Sequence, residues 1–222
     1  MNTFVVDDMS VTVPQEVSDL ASFRRWLHAE EFPEQGRISY FQGKVHVDMS
    51  KEQIFSHNQV KNEIAYTLTG LAKRKKDGRC FPDGIFVAHL TADLSCQPDG
   101  VFVSRSSLDA GRVRLIEGVH EGFVEIEGSP DMVIEVVSRS SVLKDTETLL
   151  DLYWQAGIEE YWLVDARDAK PRLAIYSAHA KGFVAAKKLA GWTRSRVFGE
   201  AFQLLATKDD RGDPAFSLVI DV

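Results

Sequence analysis

The sequence of 222 residues is poor in cysteine and has no long apolar run. Cys80 and Cys96 match no metal-binding or redox spacing, so we expect two reduced, partly buried thiols rather than a disulfide. No segment approaches the roughly 18 consecutive apolar residues of a membrane span. The opening stretch "MNTFVVDDMSV" lacks a basic segment before an apolar one, which predicts no signal peptide and a cytoplasmic protein without membrane contact.

Positive charge is also scarce, with 26 Lys and Arg against 33 Asp and Glu, for a formal net charge of −7. This balance opposes a general DNA-coating role, because such proteins neutralise phosphates with an excess of cations. It is compatible with a nuclease, whose acidic metal site adds negative charge while basic residues gather on one face. A hydrophobic content of 44% is ordinary for a globular protein, and the length fits a single domain over residues 1–222.

Apolar periodicity predicts a mixed β-sheet flanked by helices, which is an α/β (α+β) fold. Helical spacing marks residues 18–31, 56–75 and 146–156, with Gly157 closing the last helix. Alternation around Gln42-Gly43 indicates a β-hairpin. Further strand-like runs occupy residues 80–90, 98–103, 131–137, 159–165 and 172–177.

Two short segments resemble each other, "QPDGVFVSRSS" at 97–107 and "SPDMVIEVVSRSS" at 129–141, but only the second carries an acid, Glu135, inside its apolar run. Asp131 and Glu135 on one strand would lie roughly 13 Å apart, whereas ligands of a shared divalent ion bind at about 2.0 to 2.6 Å. An adjacent strand lies only about 5 Å away. If the two runs are neighbours, Asp99 is therefore the acid that meets Glu135.

Two carboxylates facing one small cavity suit Mg²⁺ or Mn²⁺, which can activate water and offset charge on a phosphate. Residue types alone leave a structural alternative open. Asp99 could cap a turn after Pro98, and Glu135 could pair with an arginine at a sheet edge.

Several segments resemble the Uma-two family of endonucleases, a branch of the PD-(D/E)XK restriction-endonuclease-like superfamily. They are "QPDGVFV", "PDMVIEVVSRSS", "KDTETLLDLYWQAGIEEYWLVDAR" and His57, and the resemblance runs from about residue 37 to 177. It implies a restriction-endonuclease-like core and a metal-dependent phosphodiesterase site. Within that pattern Asp99 and Glu135 match the two acids, and the carbonyl of Val136 would be a further metal ligand.

The sequence departs from the family pattern at the catalytic lysine. The superfamily position two residues beyond the glutamate is Val137 here. The family alternative, four residues after the acid matched by Asp145, is Leu149. The nearest remaining candidate is Lys144, which we expect to act as the catalytic cation if the site is active.

Three accessory residues carry both a functional and a structural interpretation. His57 matches the family at the rim of the site but could simply cap a helix. Glu63 could join the metal shell, although a solvated helix position is the favoured interpretation. Asp145 reads as an N-cap and, by resemblance, as a support for the site.

The sequence thus predicts a Mg²⁺- or Mn²⁺-dependent endonuclease acting on DNA, with weak and salt-sensitive binding and, by analogy, a homodimer. The alternative is a catalytically impaired member of the fold that serves as a binding or assembly module. A glycosidase using the same acids is disfavoured, because adjacent strands hold them too close for an inverting mechanism.

Overall fold

The computed structural model describes residues 11–34, 36–120 and 122–221. The chain start, on which the signal-peptide prediction rests, lies outside these residues, and a single domain over 1–222 stays a prediction. Within the described ranges, no helix is long and apolar enough to cross a membrane. Both cysteines are free thiols, as expected, with Cys96 buried and Cys80 partly buried.

The described chain forms short helices and many strands. The helices are α1 (Leu20–Leu27), α2 (Val60–Lys75), α3 (Arg105–Asp109) and α4 (Leu149–Gln155), and π-helical turns at Ile54–Gln59 and Lys144–Thr148 lead into α2 and α4. The strands are β1 (Arg37–Phe41), β2 (Lys44–Asp48), β3 (Gly78–Pro82), β4 (Phe86–His89), β5 (Leu94–Cys96), β6 (Gly100–Ser104), β7 (Val113–Glu117), β8 (Phe123–Gly128), β9 (Met132–Val136), β10 (Glu160–Asp165), β11 (Arg172–His179), β12 (Gly182–Ala185), β13 (Lys188–Leu189), β14 (Trp192–Arg194), β15 (Ala201–Lys208) and β16 (Pro214–Asp221).

These strands pair into three sheets. The central sheet has the order β12-β11-β10-β9-β6-β3, in which only β9 and β10 run parallel. The N-terminal sheet has the order β2-β1-β5-β4-β8-β7, and the C-terminal sheet the order β13-β14-β15-β16. The predicted mixed sheet with flanking helices is confirmed.

The central sheet is buried on both faces, which explains the near-continuous apolar runs in its strands. Met132 and Ile134 pack with α2 and the C-terminal sheet, whereas Val133 packs with α4 and the N-terminal sheet. Each fully buried side chain of this kind contributes roughly 2 kcal/mol through removal from water. Because side chains alternate along a strand, Glu135 shares the face of Val133 and points toward α4.

Local signals placed the hairpin and the end of α4 correctly. Gln42 and Gly43 have φ of 54° and 72°, the left-handed pair required by the two-residue turn between β1 and β2. Gly157, with φ of 69°, follows α4. The four predicted apolar positions of α2, namely Val60, Ile64, Leu68 and Leu71, are all buried.

Two expectations about strands were wrong or incomplete. The run predicted at 80–90 is broken at Asp83-Gly84, and its halves, β3 and β4, belong to different sheets. Gly84 has φ of 99°, a turn conformation that a continuous strand could not contain. The sequence interpretation also stopped at residue 177 and missed the whole C-terminal sheet.

Candidate functional site

The two acids selected from the sequence lie side by side where β6 and β9 pair. Gly100 is opposite Ile134 in this antiparallel ladder, so Asp99 and Glu135 extend the same register. The Val136 amide donates a hydrogen bond of 2.7 Å to Oδ2 of Asp99. The predicted adjacency of the two similar runs is therefore correct.

A cavity of about 430 Å³, hereafter the acid cavity, opens at this point. Six of the seven residues proposed from the sequence line it: Asp99, Glu135, Val136, His57, Lys144 and Asp145. The seventh, Glu63, is placed elsewhere, since its carboxylate accepts a 3.0 Å hydrogen bond from the Leu218 amide of β16. The structure therefore gives Glu63 a role in attaching the C-terminal sheet to α2.

Asp131, the acid that distance considerations rejected, has a structural role at the other end of β9. Its Oδ1 accepts hydrogen bonds from the hydroxyls of Ser104 at 2.9 Å and Ser107 at 2.7 Å. Its Oδ2 accepts from the Ser104 amide at 2.6 Å. The carboxylate thus fixes the start of α3 to the central sheet, far from Glu135.

Asp99 is surrounded by basic side chains, two of which, Arg37 and Lys61, were not proposed from the sequence. Its side chain is only 2% exposed, and Nη2 of Arg37 lies 2.8 Å from its Oδ1. Nζ of Lys61 lies 3.7 Å from the same oxygen, and Nε2 of His57 lies 3.7 Å from Oδ2. Arg37 begins β1 in the N-terminal sheet, while His57 and Lys61 belong to the π-helical turn and α2, so three elements converge on this carboxylate.

Two further acids complete this cluster. Nη2 of Arg37 contacts Asp83 at 2.7 Å and Glu52 at 3.1 Å, and Lys61 bridges the same two carboxylates. Burial alone would lower the pKa of Arg37, but Asp99 and Asp83 raise it above its ordinary value. Burial likewise opposes ionisation of Glu52, yet hydrogen bonds from Lys61 and Asn58 lower its pKa to about 2.

Glu135 occupies the most enclosed position of the cavity, with 1% of the residue exposed. The Tyr153 hydroxyl of α4 donates a 2.6 Å hydrogen bond to its Oε1 and lies 3.3 Å from Sγ of Cys96. Burial raises the pKa of Glu135 to about 8, with nearby Lys144 acting in the opposite direction. Without a further cation, this carboxyl is therefore largely protonated at neutral pH.

Lys144 lies on the same side of the cavity as Glu135, at the start of the π-helical turn before α4. Its Nζ is 3.3 Å from Oδ1 of Asp145, which also accepts a hydrogen bond from Ser141 at its other oxygen. Burial opposes the charge on Lys144, but Glu135 and Asp145 outweigh it and raise its pKa. Burial raises the pKa of Asp145.

The two ordinary lysine positions of the family are part of the apolar core here. Val137 is 2% exposed and Leu149 is 1% exposed. Leu149 packs with Tyr153 between α4 and the N-terminal sheet. The cations that the chain brings to its acids are instead Lys144 on the Glu135 side and Arg37 with Lys61 on the Asp99 side.

The possible ligands in the acid cavity fit a hard divalent cation, because most of them are carboxylate or hydroxyl oxygens. Oδ1 of Asp99 and Oδ1 of Asp145 are buried and accept no well-aligned hydrogen bond from the described residues. Within the described ranges, however, no three His, Cys, Asp or Glu side chains converge as a preformed ligand set. An ion bound by Asp99 would therefore have to displace Arg37 from that carboxylate.

Comparison with known proteins gives the chain a family. The model of Uma2, described as "Putative restriction endonuclease", matches residues 20–205. The crystal structure of a protein described as a putative nuclease of DUF820 from Anabaena variabilis aligns over 82% of this chain and 90% of its own, at a TM-score of 0.54. At 18% identity this similarity concerns the fold. No curated protein matches the chain.

The family match covers the cavity, both acids and all the cations around them, and restriction-endonuclease-like families generally use divalent metals. The resemblance drawn from the sequence, over residues 37–177, lies within the matched region. The chain belongs to the Uma2 family of restriction-endonuclease-like proteins.

Proposed function

We propose that the protein is a nuclease that hydrolyses phosphodiester bonds of DNA with Mg²⁺ or Mn²⁺. The observation that supports this most is the meeting of Asp99 and Glu135 on neighbouring strands inside one enclosed polar cavity. The family description agrees with it. A cytoplasmic location and a homodimer belong to the same proposal and stay predictions.

Asp99, Glu135 and the carbonyl of Val136 would hold the ion. When bound, a divalent ion supplies an activated water and offsets negative charge on phosphate. The Val136 amide and the Tyr153 hydroxyl orient the two carboxylates through the hydrogen bonds described above. These contacts are made by the central sheet and by α4, so both acids are positioned by rigid elements.

Lys144 would stabilise charge on the phosphate beside Glu135, in place of the lysine that the family carries at the position of Leu149. Its side chain is 32% exposed, so the ammonium can reach a substrate while its stem stays packed. His57 and Asp145 would complete the rim, the first beside Asp99 and the second beside Lys144. The function of each residue remains part of the proposal.

A second candidate function, a binding or assembly module without catalysis, is favoured by one observation. Arg37 contacts Asp99 at 2.8 Å and two other carboxylates, Asp83 and Glu52, and this arrangement offsets the charge of Asp99 without any metal. If the functional protein keeps Arg37 on these carboxylates, it has retained the nuclease fold but does not hydrolyse phosphodiester bonds. The two functions therefore differ in whether an ion can compete with Arg37.

Calorimetric titration with Mn²⁺, together with nicking of supercoiled DNA, separates these functions. We expect the parent to bind Mn²⁺ and to nick DNA, and Asp99→Asn and Glu135→Gln each to lose both properties. Asp131→Asn is the matched control, because it neutralises an acid of the same two runs outside the cavity. No Mn²⁺ binding in the parent would leave the non-catalytic module as the function.

A further inference from the structure

A second and larger cavity adjoins the acid cavity and forms a groove of about 1180 Å³. The two share Ser50, Lys51, Glu52, His57 and Ser138, so they form one continuous cleft. The groove runs past the carboxyl ends of the parallel strands β9 and β10. Ligands of sheets with parallel strands commonly bind at such ends.

The far wall of the groove is the hairpin of β15 and β16, two strands paired over eight residues each. Ala206, Thr207, Lys208, Pro214 and Phe216 contribute to this wall. All five lie beyond residue 205, where the match to the family model ends. These five residues of the wall therefore lie outside the region that the family model matches.

Three cations of the groove have no acidic partner. Lys51, Arg139 and Lys208 line it and are exposed. Among the residues that the structure describes, no carboxylate lies within ion-pair distance of any of the three. In a chain of net charge −7, three free cations along one cleft indicate an anionic ligand.

The other charges of the groove are already compensated. Arg167 contacts Asp165 at 2.9 Å, and Asp168 lies 3.4 Å from Arg172. Glu52 is held by Arg37 and Lys61, as described above. The groove itself is lined by four Lys or Arg side chains and two Asp or Glu side chains, so its own charge balance is positive.

Two aromatic side chains also line the groove. Phe216 is buried in the core of α2 and the C-terminal sheet, whereas Phe55 is only partly buried, so Phe55 is the ring that a ligand can contact. A cationic groove with aromatic side chains is typical of surfaces that bind single nucleic-acid strands, where cations contact phosphates and rings contact bases. A free inorganic phosphate would make no use of such a ring.

We infer that this groove binds a single nucleic-acid strand and leads it into the acid cavity, with Lys51, Arg139 and Lys208 contacting successive phosphates. The inference rests on the proposed function, because it states how the nucleic acid reaches the acid cavity and that it does so as a single strand. It assigns the β15–β16 hairpin to substrate binding. Lys208 lies outside the region that the family model matches, so its substitution tests whether the β15–β16 hairpin takes part in binding.

The test measures binding of a fluorescein-labelled oligothymidylate of about 15 nucleotides by fluorescence anisotropy. EDTA is present so that cleavage cannot occur. Arg139→Gln and Lys208→Gln each remove one exposed cation from the groove. Lys181→Gln, in the exposed turn between β11 and β12, removes the same charge outside it. All three side chains are exposed, so the fold should tolerate each change.

Each groove variant should weaken binding roughly eightfold at about 50 mM salt and should reduce the slope of log K against log salt by about 0.7, the value for one phosphate contact on a single strand. Lys181→Gln should change the affinity by less than about twofold. Unchanged affinity in both groove variants, or an equal loss in Lys181→Gln, would overturn the inference. Tighter binding of a duplex of the same length would overturn its assignment to a single strand.

These results are separable from those of the proposed function, because no metal or turnover enters the binding measurement. If the groove variants lose affinity and the parent protein does not cleave DNA, nucleic-acid binding by the groove is supported and the nuclease function is refuted. If the groove variants keep full affinity and the parent protein cleaves DNA, binding by the groove is refuted and the nuclease function stands.

Discussion

The buried carboxyl of Glu135 should make the metal-free protein less stable as pH rises. Its pKa is raised from an ordinary value of 4.5 to about 8, mainly because burial penalises the charged form. The folded state therefore binds this proton more tightly than the unfolded state between these two pH values. The stability contributed by the proton is fully present below about pH 4.5 and is lost as pH rises through about 8.

One pKa unit corresponds to about 1.4 kcal/mol, so the shift of Glu135 sets an upper limit of roughly 5 kcal/mol on this loss. The pKa of about 8 already includes the stabilisation of the carboxylate by Lys144 and Tyr153, so we expect a measured loss of no more than roughly 5 kcal/mol. Glu135→Gln removes the titration and keeps an oxygen that can accept the Tyr153 hydrogen bond. The substituted protein should therefore gain stability relative to the parent as pH rises.

Urea unfolding of parent and Glu135→Gln in EDTA, from about pH 5 to about pH 9, measures this difference. The two free energies of unfolding should diverge with pH, because other titrating groups contribute equally to both proteins. Added Mn²⁺ should restore the parent at high pH and leave the Gln variant unchanged, since the ion requires the carboxylate. Parallel curves for the two proteins would refute the assignment of a raised pKa to Glu135.

Three further changes test other parts of the structure. Asp131→Asn should lower the free energy of unfolding by about 2 to 3 kcal/mol in urea, because three donors lose a charged acceptor; a loss below about 0.5 kcal/mol would contradict that role. Lys144→Met should leave Mn²⁺ affinity intact and reduce DNA nicking by roughly 10²-fold, and unchanged turnover would remove Lys144 from the mechanism. Gly128→Ala should lower the free energy of unfolding by more than about 2 kcal/mol, because φ is 115° and a Cβ would lie 2.2 Å from the Arg112 carbonyl oxygen. Gly212→Ala is the control, since Gly212 has φ of 86° but open space around it. Thermal unfolding should show a smaller loss of stability for Gly212→Ala than for Gly128→Ala.

The acid pair was predictable because its causes are local. Matching apolar runs in β6 and β9 indicate two strands under the same constraint, and strand geometry alone separates Asp131 from Glu135. α2 was predictable for the same reason, since its buried positions repeat at helical spacing. In each case the signal is a pattern inside single elements, namely the apolar run of each strand or the helical spacing of α2.

The cations around Asp99 could not be found in this way. Arg37 reaches Asp99 across two sheets, and no periodicity in the sequence links positions so far apart. Lys61 left a weak signal, since it lies one helical turn after His57 on a helix that was predicted. Its charge alone did not distinguish it from a solvated lysine.

Part of the C-terminal sheet was hard to find because two of its strands carry little of the alternation that marks a half-buried strand; β16, in which Phe216 and Leu218 are buried at alternate positions, was overlooked although it alternates. β13 is exposed throughout, and β15 alternates only in its first half before four exposed residues. Isolated apolar positions such as Phe202 are fully buried, but one or two such residues do not define a strand. A strand that buries few side chains leaves few apolar positions in the sequence.

The acid pair of the cavity and the arginine that offsets its charge are carried by different sheets. Asp99 and Glu135 are held together by the hydrogen-bonded ladder of the central sheet, whereas Arg37 is carried by β1 of the N-terminal sheet. A small shear or hinge motion between the sheets would withdraw the guanidinium while leaving the spacing of the acids unchanged. Substitutions at the packing between these sheets could therefore tune ion affinity without altering any residue of the acid cavity itself.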